Sequence, residues 1–249
     1  SRPPYPYGGA LRRPAWTLPE AAQVDAAIAF AVESLEAWRA ALGIEQFDLV
    51  AHSLGGYLAT HYAMRHPRRV RRLVLVSPVG WTPKPEGARA AGGLVGALWD
   101  TGFANFGTLG LLGPAAEGKA KCAIANRLNL RDATERALVS NYFWSSVTAD
   151  RASAEIAVNY LLEPHYGAVA DGLYAFYAKR AVADEPAEML ANLPPTTLLY
   201  GDCDYDYLPT TPEAVKRVAA AASSPVKMHF VTDSDHHLYI DNPPEFHSR

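Results

Sequence analysis

The sequence predicts a parallel, doubly wound α/β sheet interrupted by a helical insertion. Three observations carry this expectation. The run Leu73-Val74-Leu75-Val76-Ser77 is short and almost wholly apolar, as a strand buried on both faces is. Runs of this kind alternate with helix-length amphipathic segments up to residue 77, and again from residue 196. Between them, from Pro78 to Pro195, nothing reads as a strand. The expected division is a sheet core built from residues 1–77 and 196–249, with residues 78–195 as a helical cap that is not an independent domain.

Composition sets the outer bounds. The 249 residues are 49% apolar and 20% charged, enough for one large α/β domain or two small ones. A net charge of −3 supplies no basic field for nucleic acid. No apolar run approaches the ~18 residues needed to span a bilayer. Cys122 and Cys203 are too few for a disulfide framework, metal-ligand spacing is absent, and no cofactor is expected. Two free thiols favour a reducing, intracellular setting. The chain opens Ser1-Arg2-Pro3-Pro4 without Met and stops at Arg249 within a helix-like stretch, so both ends read as cut.

The elements follow in order. Residues 1–18, rich in Pro, Gly and Arg, read as an entry loop. A helix starts near Pro19, with Thr17 as a candidate cap and Glu20 suited to the positive helix end. Val24, Ile28, Ala31, Val32, Leu35 and Trp38 recur at helical spacing, and Gly43 ends the helix. Phe47–Ala51 is a strand, Ser53 lies in a sharp turn, and Tyr57 to Arg65 is helical up to His66-Pro67. Residues 87–118 hold nine glycines among Ala and Leu, with Trp99, Phe103 and Phe106. Asp132–Val147, Ser153–Leu162 and Tyr166–Val182 look helical and aromatic-rich. Thr196–Tyr200 is a strand, Thr211–Ala222 a helix with Pro212 at its first position, Val226–Val231 the last strand, and Asp241 opens the final helix.

The strand–turn–helix around Ser53 is the context of a nucleophile elbow. A serine hydroxyl is a poor nucleophile at neutral pH; it needs an imidazole base, which in turn needs a carboxylate to orient it. On this architecture the order along the chain is Ser, acid, His. Here Ser53 is followed by Asp204, after the strand ending near Gly201, and by His236, after the last strand. Both would emerge at the same C-terminal sheet edge as Ser53. Asp202 and Asp206 compete with Asp204, and His237 adjoins His236; the Gly-x-x-Asp spacing favours Asp204 and the loop position favours His236. His52 precedes the nucleophile and reads as a pocket support rather than the base. The N–H of Leu54, next after the nucleophile, is one oxyanion donor; the other should come from an early strand-to-helix loop with a His-Gly signature, and no such segment precedes Ser53. The first position of the usual Gly-x-Ser-x-Gly elbow is Ala51.

Several stretches carry a resemblance. They are Ser1-Arg2-Pro3, His52-Ser53-Leu54-Gly55-Gly56-Tyr57, Leu73 to Trp81, Gly201-Asp202-Cys203-Asp204-Tyr205, and His236 to Pro243. In these the chain resembles the α/β-hydrolases of the lipid-acting group: the plant and animal lipid-droplet lipase co-activators, the N-acyl-phospholipid hydrolases and the yeast cardiolipin-specific deacylase. The resemblance implies an α/β-hydrolase fold entered after its fourth strand. It also implies a serine-dependent carboxylic ester hydrolase, or acyltransferase, acting on phospholipid or other lipid acyl esters. The expected partners are a lipid acyl-ester substrate and a peripheral membrane or lipid-droplet surface, in cytoplasm or mitochondrion, without nucleic acid. His52, Trp81, Trp99 and Phe103 are the expected substrate contacts. A small-molecule esterase or carbon–carbon bond hydrolase with the same triad is the alternative enzyme. A non-catalytic co-activator is the alternative of another class, and chains of that kind can lack the serine retained here. Epoxide hydrolases and dehalogenases would need Asp at position 53.

Two features have plainer readings. His236 and Asp241 form His-x4-Asp, discussed in this group as a lysophosphatidate acyltransferase motif; here His236 reads as the base and Asp241 as a cap for the following helix. Arg65, Arg68, Arg69, Arg71 and Arg72 form a basic cluster that suits a helix C-terminus and a solvated face.

Overall fold

The computed structural model describes residues 19–88, 117–118, 121, 132–148, 155–166, 174–204 and 212–249. Its centre is a four-stranded parallel sheet of β1 (Phe47–His52), β2 (Val70–Val76), β5 (Thr196–Gly201) and β6 (Val226–Val231), in the order β1-β2-β5-β6. Parallel pairing puts every strand's C-terminal end on one edge. Side chains alternate between the two faces as the period of a strand requires. Leu73, Leu75, Leu198 and Tyr200 join the main core, whereas Val76, Leu199 and Val231 join a second cluster with Leu238.

The main core is covered by α1 (Glu20–Ala41), α2 (Leu54–Arg65) and α6 (Pro212–Ala221). Helix α1 buries Val24, Ala27, Ile28 and Val32, close to the expected stripe, and Gly43 ends it at φ +65°. Trp38 departs from that stripe and is 55% exposed. Pro19 is the N-cap residue rather than the first helical one, its carbonyl accepting from Ala22 and Gln23 N–H. Thr17, Thr211 and residues 1–18 generally lie outside the described residues. The second face carries the short helices α7 (Leu238–Asp241) and α8 (Pro243–Ser248).

The insertion departs from its all-helical expectation. Helix α3 (Ala133–Thr148) forms as expected, with Asp132 accepting from Thr134 and Glu135 N–H. After α4 (Glu155–Leu161), however, β3 (Leu162–Tyr166), between the two expected helices, pairs antiparallel with β4 (Tyr174–Ala178), in the stretch expected to be helical from Tyr166 to Val182. A 3₁₀ turn (Val182–Asp184) and α5 (Ala187–Leu190) lead back to β5. Aromatic rings at 174, 176 and 177 suit a pleated surface as well as a helix, so periodicity alone could not decide. Tyr160, Leu161, Leu162, Ala178 and Val182 belong to the same core cluster as Ile28, Tyr57 and Leu73.

The return segment is fastened to α1 and α2. Arg180 lies 2.6 Å from Asp25 and 2.7 Å from Glu185, and its carbonyl accepts from Tyr57 Oη–H at 2.8 Å. His61, buried against Tyr57, has its pKa lowered to about 3 by burial first and then by the Arg180 and Arg65 charges. It is therefore neutral, and its 3.8 Å approach to Glu185 is not an ion pair at neutral pH.

Candidate active site

The turn between β1 and α2 is strained. Ser53 sits at φ 56° and ψ −126°, a conformation L-residues rarely adopt. Such a residue costs of order 1–3 kcal/mol and persists only where its surroundings fix it. They do so here. Ser53 N–H donates to Val76 carbonyl at 2.9 Å, and Ser53 carbonyl accepts from Gly56, Tyr57 and Val79 N–H. A Cβ on Gly56 would lie 2.8 Å from Pro78 Cβ, so glycine lets the Ser77–Trp81 loop pack on the elbow. The turn raises Ser53 at the C-terminal edge of β1 and starts α2 beneath it, where the first N–H groups of a helix lack intrahelical acceptors.

Three side chains meet at that edge. Ser53 Oγ lies 3.0 Å from His236 Nε2, and His236 Nδ1 lies 3.1 Å from Asp204 Oδ2. Asp204 is fully buried just beyond β5. This order assigns the imidazole proton to Nδ1, facing the carboxylate, and leaves Nε2 to accept from the serine hydroxyl.

The loop bearing His236 is held from several sides. Asp202 Oδ1 and Oδ2 accept from Ser234 and Asp233 N–H at 3.1 and 3.2 Å. Burial raises the Asp202 pKa, but these backbone donors outweigh it and the net shift is downward. Asp233 takes a positive φ of 50° in the turn they support. Cys203 N–H donates to Ser234 carbonyl, and Asp241 Oδ2 accepts from Asp235 N–H at 3.0 Å. His52 Nε2 lies 2.9 Å from His236 carbonyl, with its ring 4.5 Å from His236, 5.1 Å from His237 and 5.5 Å from Tyr239.

The chain joins these residues into a Ser–His–Asp arrangement on a parallel sheet, with Ser53 on a strand-to-helix elbow. A family model described as the alpha/beta hydrolase fold matches residues 7–106. This is an α/β-hydrolase fold. Solved hydrolases share the architecture. A 2-hydroxy-6-oxo-6-phenylhexa-2,4-dienoate hydrolase from Rhodococcus superposes with a TM-score of 0.58 at 14% identity, over 93% of this chain and 71% of that one. A probable hydrolytic enzyme from Pseudomonas aeruginosa superposes at 0.56 and 21%, over 87% and 66%. Among curated proteins, a probable 1-acylglycerol-3-phosphate O-acyltransferase of Oryza sativa is 28% identical across 96% of this chain and 56% of its own length. The human (lyso)-N-acylphosphatidylethanolamine lipase is 29% identical across 87% and 61%. Human 1-acylglycerol-3-phosphate O-acyltransferase ABHD5 is 47% identical over 55 residues, 22% of this chain and 16% of its own. The chain thus spans little more than half the length of the curated relatives that match most of it.

The remaining expected site residues divide. Asp202 braces the base's loop, and Asp206 lies outside the described residues, as do Trp99 and Phe103. Trp81 is fully buried in the main core. Asp241 does not cap the last helix: Asn242 does, accepting from Glu245 N–H, while Asp241 ends α7 and holds Asp235. The supports Asp202, Gly201 and Asp241 had only a weak sequence signal, a run of turn-forming residues around the acid and the base. Arg65 ends α2, whereas Arg71 and Arg72 are exposed on β2, with Arg71 paired to Asp48. Among the described residues no His/Cys/Asp/Glu group could hold a metal ion, and no helix is long and apolar enough to cross a membrane.

Proposed function

We propose that this chain carries the catalytic centre of a serine-dependent carboxylic ester hydrolase acting on lipid acyl esters, phospholipids among them. One observation carries the reading: the unbroken chain of hydrogen bonds from Ser53 through His236 to Asp204, at 3.0 and 3.1 Å. Ser53 Oγ attacks the acyl carbonyl while His236 Nε2 takes its proton. Asp204 stays ionised and stabilises the imidazolium. The oxyanion forms over the start of α2, where Leu54 N–H is the donor the elbow supplies; one such donor is worth about 10²–10³ in rate. The imidazolium then protonates the departing alcohol. Water, losing its proton to His236, releases the fatty acid and regenerates Ser53.

Support for a lipid ester comes from the lipid-acting relatives named above. One of them, the Oryza sativa relative matched across most of this chain, is named a probable acyltransferase. That favours a second outcome at the same acyl-enzyme, in which a lysolipid hydroxyl replaces water. A peripheral site of action at an intracellular membrane or lipid-droplet surface belongs to the same proposal.

The test is Ser53→Ala in the full-length protein, assayed on phospholipid vesicles and on long- and short-chain p-nitrophenyl esters, with and without a lysophosphatidate acceptor. Turnover and fluorophosphonate labelling should fall by roughly 10⁴-fold or more. Turnover that survives Ser53→Ala sinks the mechanism. Preference for short-chain esters moves the substrate to small molecules. A wild-type protein that neither turns over ester nor labels favours the co-activator reading.

A further inference from the structure

We propose that His52 is a positioning residue for the base: its Nε2–H holds the main-chain carbonyl of His236 and so fixes the imidazole against Ser53. The inference rests on the serine-hydrolase reading above. A carbonyl oxygen can only accept, so the 2.9 Å contact requires His52 to carry its proton on Nε2. The bond joins the end of β1, one residue before the nucleophile, to the base itself, 184 residues further along the chain. It therefore ties the two reacting partners directly rather than through the sheet.

The other supports of this loop act further from the ring. Asp202 holds Asp233 and Ser234, and Asp241 holds Asp235. Of these three, His52 holds the carbonyl of His236, while within the loop Asp235 Oδ1 accepts from His236 N–H at 2.7 Å. The His52 ring also packs on the imidazole, 4.5 Å between centroids and tilted by 51°. A side chain so engaged faces the base, not an acyl chain. Small errors in the placement of a reacting group cost rate steeply, so loss of this bond should appear in kcat, with substrate affinity retained.

Two substitutions separate the donor from the ring. His52→Phe keeps an aromatic ring against His236, His237 and Tyr239 but removes the donor. His52→Gln removes the ring and keeps an N–H near the Nε2 position. Both would be measured in the full-length protein with p-nitrophenyl butyrate and with phospholipid vesicles, beside Ser53→Ala. The expected result for His52→Phe is a kcat about 10- to 100-fold lower with KM within about twofold of wild type, and fluorophosphonate labelling slowed by the same factor. His52→Gln should recover most of that loss. A wild-type kcat in His52→Phe overturns the proposal. So does a raised KM at unchanged kcat, which would make His52 a substrate contact. If His52→Phe does not fold, a folded His52→Gln as inactive as Ser53→Ala overturns it. Survival of turnover in Ser53→Ala would instead remove the underlying hydrolase reading, whatever the His52 variants do.

Discussion

Gly201 is the residue on which the geometry of the site is most exposed to a single methyl group. A Cβ there would approach Asp235 carbonyl oxygen to 2.6 Å and press on Ser234 as well. Both are backbone atoms of the loop that ends in His236, and that loop is pinned by Asp202 and Cys203, so little can give. Gly201→Ala should therefore destabilise the protein by about 1–3 kcal/mol, as overpacking does. It should also displace His236, so that labelling of Ser53 by fluorophosphonate slows more than the loss of folded protein explains. Urea denaturation beside labelling kinetics measures both; an unchanged midpoint would refute the close approach. Much at this scale could be read from the sequence, because the chemistry requires particular residue types in a particular order. Ser53, Asp204 and His236 stand out for that reason, and the structure brings the three within hydrogen-bonding distance. Gly201 and His52 do not stand out in the same way. A glycine after a strand, or a histidine beside a serine, acquires meaning only when the chain brings its distant partner alongside.

At the scale of elements, the segment from β6 to α8 works as a scaffold for one imidazole. Helix α7 is only four residues long, yet its last residue, Asp241, accepts from Asp235 N–H and so closes the loop from below. A hydrogen-bond acceptor suffices for this, and a charge is not required. Asp241→Asn, which keeps an oxygen at that position, should retain activity within a few-fold, while Asp241→Ala should lose about 1 kcal/mol of stability and a larger part of turnover. If Asp241→Asn were as damaged as Asp241→Ala, a role for the negative charge would have to replace the brace. The elements that sequence reasoning located were those with apolar runs or periodic faces: α1 to α4, α6 and the four strands of the parallel sheet. It read β4 as helix, since a five-residue strand of Tyr, Phe and Ala carries no periodicity distinct from a helix, and it passed over β3, which carries a proline. It also gave the helix cap to Asp241 when Asn242, immediately before Pro243, takes it.

For the molecule as a whole, the buried histidine in α2 sets the response to acid. The folded-state pKa of His61 is about 3 against an ordinary 6.5, so as pH falls below 6.5 the unfolded chain takes up a proton that the folded protein refuses. Stability is full above that value and declines towards pH 3, by up to about 1.4 kcal/mol per pH unit. Glu36, held at about 2 chiefly by its hydrogen bond to Arg39, adds its own loss only below about 4.5. The interval from pH 6.5 to 4.5 therefore reports on His61. Urea midpoints measured across that interval should fall in the wild type and stay flat in His61→Gln; parallel curves would mean that His61 is not buried neutral. His61 faces Glu185, near the end of the insertion, and that long-range approach has no local signature in sequence. Its consequence reaches into design. The insertion's residues Tyr160, Leu161, Leu162 and Val182 share one apolar cluster with Ile28 and Tyr57 on α1 and α2. A segment transplanted from a relative across residues 78–195 would arrive without its complement, so any folded chimera has to carry the facing positions of both helices with it.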